Sequence, residues 1–181
     1  MISSKAQIVE ALQQTHAQLV ETVTNLSQEV FTRQPPEGWS AAEYLLHLNL
    51  SVRPVGRAMN LPPEKLLSLF GSPDQPSRSY EALEALYRAA LANGIRAEDA
   101  PRFVPQLPDD RDNLQENLLA DWVEYNTALL EAVEAWPEAQ LDDYNISHPA
   151  FGSLTVREML FFTIFHNRLH LKDIQAFATP E

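Results

Sequence analysis

Apolar residues recur at helical spacing in four long stretches of the chain, each bounded by residues that start or stop helices. In the first, Ile8, Leu12, Thr15, Leu19, Val23 and Leu26 share one face and Ser3 or Ser4 can cap the start, so the spacing predicts a helix over 4–27. The period then fails in FTRQPPEGW, where Pro35, Pro36 and Gly38 make residues 31–39 read as a loop. Ser40 and Glu43 form a capping box, in which a hydroxyl and a carboxylate satisfy the orphaned N–H groups of a first turn. It opens a second helix from Ala41 to about Met59. Leu45, Leu46, Leu48, Leu50, Val52 and Val55 are too many for one narrow stripe, so this helix should be largely buried. Pro54 predicts a kink or an end nearby. The third stretch, 111–136, carries Leu114, Leu118, Trp122, Tyr125, Leu129 and Val133 near one face and is stopped by Pro137. The fourth, 156–177, starts at a second capping box, Thr155 with Glu158. At about 100° per residue, Met159, Thr163, His166, His170 and Phe177 fall on one face of it, beside Leu160, Leu171 and Ile174.

Between the second and third stretches the character changes. Pro62, Pro63, Pro73, Pro76, Pro101, Pro105 and Pro108 punctuate residues 61–110 around one clear helix, YEALEALYRAALAN at 80–93, which Gly94 ends in the favoured place. Residues 63–70 read as a second, short helix. The segment is an insertion, serving either as a lid over a site or as a plain connector. No strand alternation competes elsewhere. The expected fold is therefore all-α, one domain over 1–181, an up-down-type four-helix bundle with a Pro-rich, partly helical insertion between main helices 2 and 3.

Composition narrows the function. The chain has 45% hydrophobic and 21% charged residues, ordinary values for a globular protein, and a formal net charge of −12. Residues 97–144 hold thirteen acidic residues against Arg102 and Arg111, so nearly all the imbalance lies there. A nucleic-acid partner would want a basic patch, so direct DNA or RNA binding is disfavoured and none is expected. Glu116, Glu124, Glu131 and Glu134 lie mostly off the apolar face of their helix and read as a solvated surface. No apolar run is long enough to span a membrane, and MISSKAQIVEAL lacks a signal pattern, so the expected location is cytoplasmic. There is no cysteine. That excludes disulfides, protein thiolate nucleophiles and Cys-ligated zinc, and leaves His, Asp and Glu as the only metal ligands.

Histidine is where chemistry can reside. His166 and His170, one turn apart, present two imidazoles that can share a zinc-sized ion if a third ligand comes from elsewhere; equally, they can be hydrogen-bonded residues at a core margin. His47, two turns after its cap, reads alone as a satisfied core histidine. Bundles build metal sites from facing helices, however, and three histidines on two helices leave coordination positions open for water or substrate. His16 has no partner at helical spacing and reads as a boundary residue. His148 precedes Pro149 seven residues before Thr155, which places it at the mouth of such a site or in a solvated loop. Asp173 can orient a ligand or serve as a surface charge, and Glu43 is better explained by its cap than by His47.

Gly38-Trp39-Ser40-Ala41-Ala42-Glu43 with His47, then His148-Pro149 and Gly152, Thr155-Val156-Arg157-Glu158, and finally His166 with His170 form two ordered patterns, W-S-x-x-E-x-x-x-H and H-P-x-x-G-x-x-T-x-x-E with a downstream H-x-x-x-H. In order and helix placement the chain resembles the DinB/YfiT-like superfamily of bacterial four-helix-bundle proteins. The resemblance covers the bundle; the 61–110 insertion is unusual for a compact member. It implies that His47, His166 and His170 form a three-histidine site for a divalent metal, nickel or zinc. It also implies thiol transfer with a low-molecular-weight thiol, or metal-dependent hydrolysis, on a small-molecule substrate.

Two functions are thus expected. In one, the ion lowers the pKa of a bound water or thiol and no protein side chain is the nucleophile. The alternative is a non-catalytic bundle that binds a small ligand or a protein partner with structural histidines. Phe161 and Phe165 lie off the main core face of the last helix, so either the insertion or a second subunit must cover them, and a homodimer through this helix is the expectation.

Overall fold

Seven helices and one short hairpin make up the architecture in the computed structural model, which describes residues 2–178. The helices are α1 (Lys5–Asn25), α2 (Gln28–Thr32), α3 (Ala41–Met59), α4 (Pro63–Phe70), α5 (Tyr80–Ala92), α6 (Leu114–Ala135) and α7 (Val156–Ala176). The strands β1 (Asn145–His148) and β2 (Gly152–Thr155) pair antiparallel, with His148 opposite Gly152. The fold is mostly helical, as expected. The long helices close a ring in which α3 packs on α6, α6 on α1, α1 on α7 and α7 on α3. Its interior is filled by Ile8, Leu12, Leu45, Leu48, Trp122 and Leu129, all buried. Each such side chain contributes about 1.5–3 kcal/mol relative to leaving it in water.

Local chemistry sets the helix ends. Ser4, Ser40 and Thr155 cap α1, α3 and α7, each in a reciprocal box with the residue three on, Gln7, Glu43 and Glu158. α1 ends sooner than its periodicity predicts. Leu26 turns extended and Ser27 caps the five-residue α2, which seats Phe31 in the core. The expected loop over 31–39 therefore starts late. α3 continues five residues past Pro54 to Met59, where the indole N–H of Trp136 donates to the Met59 carbonyl at 2.8 Å. α6 starts at Leu114, after Asn113 takes a left-handed conformation with φ 55°, and not at Arg111.

The β-hairpin is the element that helical periodicity missed. Its turn, His148 to Gly152, closes on Gly152 at φ 68°, a region that a side chain rarely enters. The insertion contributes α4, α5 and two 3₁₀ turns, Ala97–Asp99 and Pro101–Phe103. Arg78 anchors it to the first turn of α7 by pairing with Glu158 at 2.7 Å. From there α5 lies along α7: Tyr80 meets Phe161 edge-on, Tyr87 meets Phe162 and Phe165, and the Arg88 guanidinium sits 5.0 Å from the Phe165 ring centre. Phe161 and Phe165 are thus buried within one chain. The apolar surface that suggested a second subunit is covered by the insertion. Among the described residues, no helix is long and apolar enough to cross a membrane.

Candidate metal centre

Because α3 and α7 are neighbours in the ring, His47 on one helix meets His166 and His170 on successive turns of the other. His47 Nε2 and His166 Nε2 are 3.0 Å apart, and one ring nitrogen from each of the three histidines lies within 4.8 Å of the others. The ring centres are 4.6–5.0 Å apart. His47 and His166 are 5% and 4% exposed, while His170 is half-buried toward the cavity.

The protonation pattern follows from the outer partners of the rings. His47 Nδ1 lies 2.7 Å from the carbonyl oxygen of Phe103, which can only accept, so Nδ1 carries the proton and Nε2 presents a lone pair. His170 Nδ1 donates in the same way to Asp173 Oδ2 at 2.8 Å, leaving its Nε2 bare. Burial pushes His47 down to about 4, with the Phe103 carbonyl opposing and His170 adding to the shift. Burial first, and then the neighbouring His170, His47 and His148, hold His166 well below the usual histidine value. His47 and His166, held neutral, with His170 beside them, form a donor set suited to zinc, nickel or copper, and the His47–His166 approach is satisfied by one shared proton or one shared cation. The residues present therefore fit a divalent ion.

Aromatic rings wall the cluster. Trp39, just after Gly38 at φ 84°, lies 5.0 Å from the His47 ring centre, and Tyr44 lies 5.4 Å from that of His170. Above them opens a cavity of about 740 Å³, lined mainly by apolar groups such as Val55, Tyr87, Leu91 and Phe162. The 3₁₀ turns of the insertion form one side of it.

His148 is on the wall of this cavity, outside the three-histidine group. It ends β1, and its Nδ1 accepts the backbone N–H groups of Ala150 and Phe151 at 3.1 and 3.2 Å. Its ring stacks on Phe151 and meets Phe162 edge-on at 4.2 Å. Phe162 in turn stacks on His166 at 5.2 Å. Burial, with the nearby charge of Arg102, lowers His148 to about 4. Asp173 is bound to His170 as described, and Glu43 remains in its cap, 2.7 Å from both the N–H and the hydroxyl of Ser40. His16 stacks beside Trp122 and is half-buried there.

Sequence reading missed the Phe103 carbonyl, since every residue has one and only the path of the insertion brings this one to His47. It also missed Trp39 and Tyr44 as walls, although both flank a recognised cap. A family model described as the DinB superfamily matches residues 11–174, a span that includes all three clustered histidines, His148 and Asp173. No curated protein matches the chain.

Proposed function

The chain belongs to the DinB superfamily, and on that premise we propose that it is a four-helix-bundle metalloprotein that binds one divalent ion, zinc or nickel, at His47, His166 and His170. We further propose that it uses the ion in hydrolysis or thiol transfer on a small organic substrate. The observation that carries the reading is the 3.0 Å approach of two Nε2 atoms whose surroundings keep both rings neutral. A divalent ion there supplies a Lewis acid that lowers the pKa of water or of a small thiol toward neutrality.

The chain's own residues account for the rest. Phe103 and Asp173 orient His47 and His170 by fixing the proton on Nδ1 of each. Trp39 and Tyr44 exclude water from one side. The cavity, large enough for a drug-sized molecule, favours an organic substrate with a substantial apolar body. With no cysteine in the chain, any thiol comes from a co-substrate.

Metal content of untagged protein, measured by plasma mass spectrometry, tests the reading. Near one equivalent of zinc or nickel in the wild type, lost in His166→Ala, is expected. Protein that takes up no metal after incubation with either ion overturns it.

A further inference from the structure

The cavity contains two polar groups that the three-histidine cluster does not use. His148 spends Nδ1 on two backbone donors, Ala150 and Phe151, so its neutral ring carries the proton on Nε2. The ring is fixed by Phe151 and Phe162, and Nε2 has no hydrogen-bond partner among the described residues. An N–H on the wall of a cavity, in a ring held between Phe151 and Phe162 and without a partner among the described residues, is a donor available to a bound acceptor.

Arg102 is the second group. It lines the same cavity, sits within the short turn that brings Phe103 to His47, and stacks its guanidinium 4.7 Å from the Phe103 ring centre. Both it and His148 line the cavity, and its positive charge disfavours protonation of His148. The other charged groups of the lining are committed or peripheral. Arg96 turns Nη1 back onto the carbonyls of Leu91 and Ile95, Asp99 accepts the Arg96 backbone N–H at 2.9 Å, and Glu98 lies on the exposed rim. Among the described residues, Arg102 is in no ion pair. A chain of net charge −12 does not attract anions at long range, so a cation kept free at the mouth of an apolar cavity acts locally.

We propose that the cavity recognises an amphipathic small molecule bearing a carboxylate, whose oxygens are held between Arg102 and His148 Nε2–H while its apolar body packs on Tyr87, Leu91 and Phe162. This deepens the metalloprotein reading by naming a substrate class for the same site. The carboxylate subsite is separate from the three histidines, so the two ideas can fail independently.

The test uses 4-phenylbutyrate and, as its uncharged counterpart, 4-phenyl-1-butanol. Binding of each to the full chain is followed by isothermal titration calorimetry, with zinc and after chelator treatment. The carboxylate should bind at least about tenfold more tightly than the alcohol in both states, the range expected for a hydrogen-bonded charged group. Arg102→Gln, an exposed position that does not threaten folding, should remove most of that preference and Arg102→Lys should retain part of it. His148→Gln should weaken the carboxylate more than the alcohol. A preference seen only with zinc would assign the carboxylate to the ion, overturning this proposal and leaving the metal reading intact. Equal binding of both probes, no binding of either, or a preference unchanged in Arg102→Gln would also overturn it. Chain that takes no zinc yet prefers the carboxylate through Arg102 would overturn the metal reading alone.

Discussion

Asp173 accepts the Nδ1 proton of His170 at 2.8 Å, one turn along α7, and so leaves Nε2 bare in a ring that belongs to the cluster with His47 and His166. The carboxylate both selects the tautomer and makes the imidazole a better donor to a metal. Replacing Asp173 with Ala frees the ring to rotate and to place its proton on Nε2. The expected result is a loss of about 10- to 100-fold in zinc affinity, measured by competition with a chelating dye. Because Asp173 is only half-buried, the unfolding midpoint should move little. An unchanged affinity would mean that His170 is oriented by its packing against Tyr44 alone.

Acid should destabilise the chelator-treated protein in a definite window. His47 and His148 have folded values of about 4 against 6.5 for the free side chain, so their neutral forms are favoured by folding. Above about 6.5 the groups are neutral in both states and stability is independent of pH on their account. As pH falls from 6.5 to about 4 the unfolded chain takes up protons that the folded chain refuses, and stability declines. Below about 4 both states are protonated and this contribution levels off. Each group is worth roughly 3 kcal/mol over the window. Urea unfolding at pH 7.5, 5.5 and 4.5 checks it: His148→Gln should flatten part of the slope, and an unchanged slope would contradict the assignment. In zinc-loaded protein the same protons compete with the ion, so metal should be retained at pH 7 and released as pH approaches 4.

Much of this arrangement was legible because it is encoded locally. The boxes Ser40–Glu43 and Thr155–Glu158 need only residues three apart, and both are formed as read. The gathering of His47 with His166 and His170 needed one further step, the packing of α3 on α7, which two apolar helices in a small ring make natural. What was not legible depends on long-range paths or short elements. β1 and β2 are four residues each and carry Asn145, Ser147 and Ser153, too few and too polar to show an alternation. The break between α1 and α2 was hidden because Leu26 keeps the helical period while its backbone is extended. The start of α6 has no side-chain cap to announce it. The route by which residues 97–103 return to His47 is a tertiary fact that no local pattern contains.

Covering α7 by α5 has a consequence for stability. Phe165 is 5% exposed, packed against Tyr87 and under Arg88. Phe165→Ala should cost about 3 kcal/mol or more, lowering the calorimetric melting temperature by roughly 6–12 °C for a chain of this size. A shift under about 2 °C would mean that the insertion does not hold α7 in solution and that this face is available to another molecule.

The anchor of that insertion should show a reversed response to pH when it is cut. Glu158 is 4% exposed and receives the backbone N–H and guanidinium of Arg78 together with the N–H of Thr155. Burial alone pushes its carboxyl up, and those hydrogen bonds outweigh it, holding the group below its usual range. In the wild type, therefore, Glu158 contributes stability above the ordinary carboxylate value that is lost as pH falls through the lowered one. Arg78→Met removes the charged partner and leaves a carboxylate in an apolar setting, so its value should rise and the protein should lose roughly 2 kcal/mol at pH 7. Part of that loss should return on lowering the pH to 5, where the carboxyl of the variant can take a proton, whereas the wild type gains nothing from Glu158 over that interval. Glu158→Gln, which keeps an acceptor for Thr155, should be milder at pH 7 than Arg78→Met and should show no such recovery. Urea titrations of the three proteins at the two pH values measure it. An Arg78→Met variant as stable as the wild type at pH 7 would mean that water replaces the guanidinium at the half-exposed edge of the pair, and that the insertion is held to α7 by α5 alone.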